Sequence, residues 1–266
     1  MSRYNSMFAT LKEQTKGAFI PFVTIGDPDL DTSYRIIKTL IEAGADALEL
    51  GLPFSDPIAD GPTIQAANIR ALDQDISTKA CMELIARISS EFPNTPIGLL
   101  LYSNLVLAQG VDRFYQMARN AGVDSVLIAD VPIRESKPFR QAAKAAGVDP
   151  VFIVPPNVTE DTLRQIASYG RGYTYLLSRS GVTGTESKAQ MPAQLMVDRL
   201  TNLGAAPAVL GFGISSPQQV SNAIQSGAVG AISGSAVVKI IEQNLTDTER
   251  MLSALRNFVA SMKSAT

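Results

Sequence analysis

The run Ala47-Leu48-Glu49-Leu50 is apolar and strand-like but carries one acid, Glu49. A carboxylate held on such a strand loses several kcal/mol of hydration unless it is paired or used. Burial also raises its pKa toward neutrality, where one carboxyl can both give and take a proton. A second acid, Asp60, follows in the loop Gly51-Leu52-Pro53-Phe54-Ser55-Asp56-Pro57-Ile58-Ala59-Asp60-Gly61-Pro62. Proline, glycine and aspartate make that backbone irregular but stiff. On a polar loop Asp60 is expected to stay ionised, so the two carboxyls divide into a proton donor and a fixed charge. A structural salt bridge is the alternative use for Glu49.

Composition narrows the remaining chemistry. The 266 residues include 23 Lys+Arg, 25 Asp+Glu and no histidine. Without histidine there are no histidine-based triads or usual zinc and iron centres, and acid–base work falls to Asp, Glu, Lys or Tyr. The one cysteine, Cys81, lies in the helical pattern Thr78–Ser89 and reads as a small apolar filler. It cannot form an internal disulfide, which fits a reducing cytoplasm. Nearly balanced charge offers no basic patch for nucleic acid. No apolar run approaches the roughly 18–20 residues of a membrane span. The mixed charges of Met1–Lys16 are unlike a secretory signal.

Two acids need a frame to hold them. Short strands are expected near Phe19–Ile25, Leu48–Gly51, Ile97–Leu101, Ser125–Ala129, Val151–Val154, Thr174–Leu177, Val209–Phe212 and Ala228–Ile232. They are apolar throughout, as parallel strands covered on both faces are. Between them run helical patterns, such as Ile36, Ile37, Leu40 and Ile41 before Gly44, or Phe114, Tyr115 and Ala118 before Gly122. An Ala-Gly-x-Asp repeat at Ala43–Asp46, Ala121–Asp124 and Ala146–Asp149 precedes three strands, its glycine placed to end a helix in the left-handed conformation. Gly170, Gly204 and Gly227 are expected to close three more helices, and Ser216-Pro217 supplies an N-cap followed by proline at the first helical position. Eight strands alternating with helices, with no long linker, imply an α/β fold: a (β/α)8 TIM barrel formed as a single domain over 1–266. A doubly wound open sheet is the competing arrangement. Ser2–Lys16 then becomes an extra N-terminal helix sealing the barrel's bottom. The segment from Gly51 to Thr78 becomes an enlarged loop after strand two with a helical piece, Thr63–Leu72.

In such barrels the active site lies at the C-terminal ends of the strands, so Glu49 and Asp60 face one mouth. Glycine-rich turns follow three late strands: Ser180-Gly181-Val182-Thr183-Gly184-Thr185, Gly211-Phe212-Gly213-Ile214-Ser215-Ser216 and Ser233-Gly234-Ser235-Ala236. With a short helix starting at Ser235, they form a phosphate cradle of backbone N–H groups. Phe22, Leu100, Leu127, Ile153, Tyr175 and Phe212 would line the space between, which suits a flat apolar substrate with a phosphorylated tail. Each of these apolar residues taken singly is as well explained by the core.

The stretch from Leu48 to Pro62 resembles the signature of the tryptophan synthase alpha subunits. Leu177-Ser178-Arg179-Ser180-Gly181-Val182-Thr183-Gly184, Gly211–Ser215 and Gly234-Ser235-Ala236 resemble that family as well, and the likeness runs from Phe8 to about Met262. Ser180 stands where many members have alanine. The resemblance implies a lyase that cleaves indole-3-glycerol phosphate to indole and glyceraldehyde 3-phosphate. It implies that Glu49 protonates indole C3, and makes Glu49 also the candidate to take the glycerol hydroxyl proton. Asp60 would hold the indole N–H and offset the charge developing on the ring. Phe22, Leu100, Leu127, Tyr175 and Phe212 would surround the indole, and Gly184, Gly213, Gly234 and Ser235 the phosphate. Tyr175 could instead act through its hydroxyl. Thr183 would hydrogen-bond Asp60 as its loop closes on hinges at Gly181 and Gly184. The resemblance also implies an alpha2beta2 heterotetramer with a beta subunit that receives the indole. Pyridoxal phosphate is expected only in that beta subunit, with no cofactor or metal in this chain. Pro53–Asp56, the loop around Asn104 and that around Pro132 would meet the partner. Pro53-Phe54 and Leu105-Val106-Leu107 are the apolar residues expected to be exposed there.

Two further readings stay open on the residues alone. One is a barrel isomerase or decarboxylase for another phosphorylated metabolite. The other is a silent binding partner that activates a beta subunit, which would lack one of the two acids. A stand-alone lyase releasing free indole would share the fold and motif.

Overall fold

The structure is a computed structural model, and it describes residues 2–177 and 193–266. Chain order is α1 (Arg3–Glu13), β1 (Ala18–Thr24), α2 (Leu30–Glu42), β2 (Leu48–Gly51), α3 (Pro62–Leu72), α4 (Thr78–Glu91), β3 (Ile97–Leu101), α5 (Ser103–Gln109), α6 (Val111–Asn120), β4 (Ser125–Ile128), α7 (Lys137–Ala146) and β5 (Asp149–Val154). It continues with α8 (Glu160–Tyr169), β6 (Thr174–Leu177), α9 (Ala193–Asn202), β7 (Ala208–Gly211), α10 (Pro217–Gln225), β8 (Gly230–Ser233), α11 (Ser235–Glu242) and α12 (Thr248–Lys263). All eight strands are parallel and close into one barrel in sequence order, β8 pairing with β1. The TIM barrel is therefore the fold, and the open doubly wound sheet is not.

Local chemistry sets the helix starts. Ser2, Asp29, Ser77, Thr159, Ser216 and Asp247 each accept a backbone N–H of the first turn of the helix they precede. Each such cap contributes about 1 kcal/mol. Gly44, Gly122, Gly147, Gly204 and Gly227 take positive φ after their helices, as expected. Gly170 does not. It is extended, with φ −66° and ψ 145°. The left-handed turn falls instead on Gly172, at φ 72°.

Alternation along the strands sorts the core. Ile20, Leu127, Val151, Tyr175, Val209 and Ile232 fill the barrel, joined from below by Tyr4 and Leu11 of α1. Their strand neighbours Phe19, Val23, Leu50, Leu99, Val126, Val154 and Leu210 pack outward beneath the helices. Helix α1 seals the bottom as expected, over a shorter span. The Ala-Gly-x-Asp repeat has a use there. Asp46 accepts the Phe19 N–H at 2.7 Å and pairs with Lys263 of α12. Asp124 accepts the Ile97 N–H at 2.7 Å and pairs with Arg3 of α1. Each aspartate thus joins its own strand start to the preceding inner strand and to a terminal helix.

Candidate active site

Glu49 sits in the middle of β2, beside Phe22 of β1 and Gly98 of β3. It points into the barrel and is 1% exposed. The Tyr173 hydroxyl donates to its Oε1 at 2.7 Å. Among the described residues no cation partners it, and the salt-bridge alternative finds no support there. Burial raises its pKa to about 7, and the Tyr173 hydrogen bond offsets only part of that rise. Below it, the Tyr4 and Ser125 hydroxyls lie 3.0 Å apart. They occupy the space Gly98 leaves, since a Cβ there would come within 2.9 Å of both oxygens.

Asp60 comes from the enlarged loop, which α3 follows directly. The loop is pinned at several points. Asn68 of α3 accepts the Phe54 N–H at 3.0 Å, and Gln65 donates to the Asp60 carbonyl at 2.8 Å. Tyr102, just past β3, accepts the Ala59 N–H at 3.0 Å and stacks its ring on Phe54 at 5.2 Å. Asp60 was expected to stay ionised on a polar loop, and its surroundings are less open than that loop suggests. Asp60 is half-buried, and desolvation raises its pKa while a hydrogen bond to Tyr102 works against the rise.

The apolar lining divides into two levels. Leu127 and Tyr175 belong to the barrel interior, with Leu100 and Ile153 at its edge. Phe22 lies higher, packed with Ile64 and Ala67 of α3, Val238 of α11 and Leu100. Two glycines make room for rings. A Cβ on Gly211 would lie 2.2 Å from the Tyr175 ring, and one on Gly51 would lie 2.8 Å from Phe22. Burial holds the Tyr175 hydroxyl well above its usual pKa, and the Phe212 backbone works against that rise. Phe212 departs from expectation: β7 ends at Gly211, and Phe212 stands beyond it, 36% exposed and left-handed at φ 72°. An aromatic residue holds that backbone only when its surroundings require it.

Gly213 follows, also left-handed at φ 79°, with open space where a Cβ would project. Helix α11 begins at Ser235 as expected, and Gly234 gives it no side-chain cap. Its first-turn N–H groups are left for a ligand or water. Buried Ser233 donates to the Ile214 carbonyl at 2.7 Å and so joins the loops after β7 and β8. Thr183 and Gly184, with the Gly181 hinge, lie outside the described residues. Among the described residues no group of three or more Cys, Asp or Glu could hold a metal ion.

Sequence reading missed Tyr173, Tyr102, Tyr4 and Ser125. Period-two spacing carried a signal for two of them: Tyr173 shares a face with Tyr175, and Ser125 with Leu127.

The family model described as tryptophan synthase alpha chain matches residues 8–266. The tryptophan synthase alpha chain of Salmonella typhi is 58% identical over 265 residues, covering 100% of this chain and 99% of that one. The alpha chain of Escherichia coli O17:K52:H18 is 60% identical over 266 residues, with 100% and 99% covered. Among solved structures, the alpha subunit from Legionella pneumophila str. Paris superposes with a TM-score of 0.88 at 27% identity, covering 100% of this chain and 98% of that one. A chain of the tryptophan synthase complex from Pyrococcus furiosus gives 0.81 at 33% identity, covering 93% and 98%. A match over nearly the whole length, around two acids and a glycine-lined mouth, identifies the chain as a member of the tryptophan synthase alpha chain family.

Proposed function

We propose that the barrel mouth binds indole-3-glycerol phosphate and splits it into indole and glyceraldehyde 3-phosphate. The observation that carries this reading is Glu49, an acid inside an apolar barrel with no cation partner among the described residues, its pKa raised to about 7. Such a carboxyl starts protonated near neutrality and donates to indole C3, which puts positive charge on the ring nitrogen. Asp60 faces that nitrogen and offsets the charge. The carboxylate left on Glu49 then takes the proton of the glycerol hydroxyl on the carbon bonded to C3. The carbon–carbon bond breaks, its electron pair returns to the indole, and the hydroxyl carbon becomes the aldehyde. One positioned proton donor contributes about 10²–10⁴-fold in rate. Phe22, Leu100, Leu127, Tyr175 and Phe212 enclose the indole in this reading. Gly213, Gly234 and Ser235, with Gly184, hold the phosphate, and Thr183 closes over Asp60.

A beta subunit is the proposed partner, in an alpha2beta2 assembly, and pyridoxal phosphate belongs to that subunit. The surface supports the reading in altered detail. Pro53 is buried, Phe54 folds back onto Tyr102, and Val106 lies in the core. The exposed apolar residues at this rim are Ile58, at 78%, and Leu107, at 55%. Asp130, after β4, accepts from the Ser103 N–H and hydroxyl at 2.8 Å. That bond and the Tyr102 contacts draw the three predicted partner loops together. We read 1–266 as one domain working in the cytoplasm, and among the described residues no helix is long and apolar enough to cross a membrane. Indole release by the purified chain, alone and with a tryptophan synthase beta subunit, tests this. Slow release that rises strongly with the partner is expected. Fast release unmoved by the partner would make the chain a free-indole lyase, and no release in either case would reject the reaction.

A further inference from the structure

We propose that Ser233 is a positioning residue for the phosphate end of the substrate, its hydroxyl holding the loop after β7 in place beside the start of α11. This rests on the reading above that Gly213, Gly234 and Ser235 hold the phosphate. The parallel ladder between β7 and β8 pairs Val209 with Gly230 and Leu210 with Ala231, and among the described residues no later pair follows. Past those rows the two strands lead into separate loops, and ladder hydrogen bonds no longer set their spacing. Ser233, the last residue of β8, is 0% exposed and donates its hydroxyl to the Ile214 carbonyl at 2.7 Å. That bond leaves the chain one residue before Gly234 and arrives one residue after Gly213. It therefore links the two loops right beside the residues that would share the phosphate.

The peptide unit that receives this bond is held on its other edge as well. Its N–H, that of Ser215, donates to Gln219 Oε1 at 2.8 Å. The Ser215 and Ser216 hydroxyls lie 3.1 and 3.2 Å from the same oxygen. Gln219 stands in the first turn of α10, whose N-cap is Ser216. A peptide unit is planar, so a carbonyl fixed to β8 and an N–H fixed to α10 leave it one orientation. Immediately before it Phe212 and Gly213 are both left-handed, at φ 72° and 79°. A residue such as Phe212 stays in that region only when its surroundings hold it there. The clamped peptide supplies that hold from the C-terminal side. Ser233 thereby sets where the Gly213 N–H lies relative to the uncapped first turn of α11.

A phosphate accepts from several N–H groups at once, and charge-assisted bonds of this kind depend on their geometry. Displacing one loop from the other should therefore weaken substrate binding. Glu49 and Asp60 come from β2 and the loop after it, so the proton transfers are not referred to this bond.

Ser233→Ala tests this by removing the hydroxyl at a buried position, and Gln219→Met removes the opposite anchor at a partly exposed one. Cleavage of indole-3-glycerol phosphate and of phosphate-free indole-3-glycerol is measured for wild type and both variants. Inorganic phosphate serves as competitor, and thermal unfolding checks folding. One neutral hydrogen bond corresponds to about a three- to tenfold change in an equilibrium. Each variant should raise KM for the phosphorylated substrate, and the inhibition constant of inorganic phosphate, by that factor. Turnover at saturation should change little, and kcat/KM for the phosphate-free substrate should stay the same. Unchanged KM and inhibition constant in both variants, while wild type still prefers the phosphorylated substrate, would overturn the inference alone. Equal losses on both substrates, in step with a fall in Tm, would also overturn it, by making the bond merely structural. Should Ser233→Ala not fold, Gln219→Met decides between these outcomes. A wild type that cleaves both substrates equally well and ignores inorganic phosphate would remove the phosphate reading and the inference with it.

Discussion

Glu49 is where chemistry and folding oppose each other most directly. Raising its pKa from 4.5 to about 7 corresponds to about 3 kcal/mol between the protonation states. The folded chain holds this proton more tightly than the unfolded chain, so the group favours folding below about pH 4.5 and loses that contribution as pH rises through about 7. Glu49→Gln has no proton to lose. The variant should be more stable than wild type by about 1–3 kcal/mol at pH 8, and the gap should close toward pH 5. Urea unfolding at the two pH values reads this directly, and a gap independent of pH would contradict it. As a general acid Glu49 must begin protonated, so kcat/KM should fall as pH passes about 7. Tyr173 donates to this carboxyl and lowers its pKa. Tyr173→Phe should carry that fall to higher pH, and a limb that stays in place would separate Tyr173 from the proton transfer. Glu49 was legible because an acid in an apolar strand is conspicuous. Tyr173 was not, because a tyrosine there also passes for core, and only closure of the barrel brings β6 across from β2.

At the scale of elements, the strands were readable from their short apolar runs and the helices from caps and glycines. The failures have local causes. Gly170 stays extended because its N–H closes the last turn onto the Ile166 carbonyl at 2.8 Å, and the reversal waits until Gly172. Asp60 was expected to stay ionised because its own loop is polar, and its partial burial was not legible there. Tyr102, whose hydroxyl holds the neighbouring Ala59 N–H, comes from just past β3 and is distant in sequence. Phe212 was assigned to the end of β7 by its apolarity, yet the chain turns left-handed there and at Gly213. The glycines ending β2 and β7 carry the same lesson, since each is small on account of a ring from a neighbouring strand. Gly211→Ala would drive a Cβ to 2.2 Å from the Tyr175 ring. Overpacking of this kind costs about 1–3 kcal/mol. We expect that loss in unfolding experiments together with a raised KM if Tyr175 lines the proposed indole pocket; unchanged stability and KM would show that the barrel wall yields freely.

At the scale of the whole molecule, two of the exposed apolar residues, Ile58 and Leu107, flank the side of the barrel that carries Asp60. Ile58 lies on the loop that carries Asp60, and Leu107 on the helix that Tyr102 precedes. A partner seated on this rim would press on the elements that orient Asp60. Leu107→Asp should weaken association with a beta subunit by about tenfold or more. The lyase rate of the isolated chain should stay the same. Sedimentation or calorimetry with the partner checks the first expectation and an indole assay the second; undiminished association would move the interface elsewhere. The central claim is that the buried carboxyl of Glu49 performs the proton transfer, and it is tested most directly by indole release from indole-3-glycerol phosphate by Glu49→Gln in the presence of a beta subunit. The variant should fold, bind the partner and lose at least about 10²–10⁴-fold in turnover. A folded, partner-bound Glu49→Gln protein that still releases indole at the wild-type rate would contradict it.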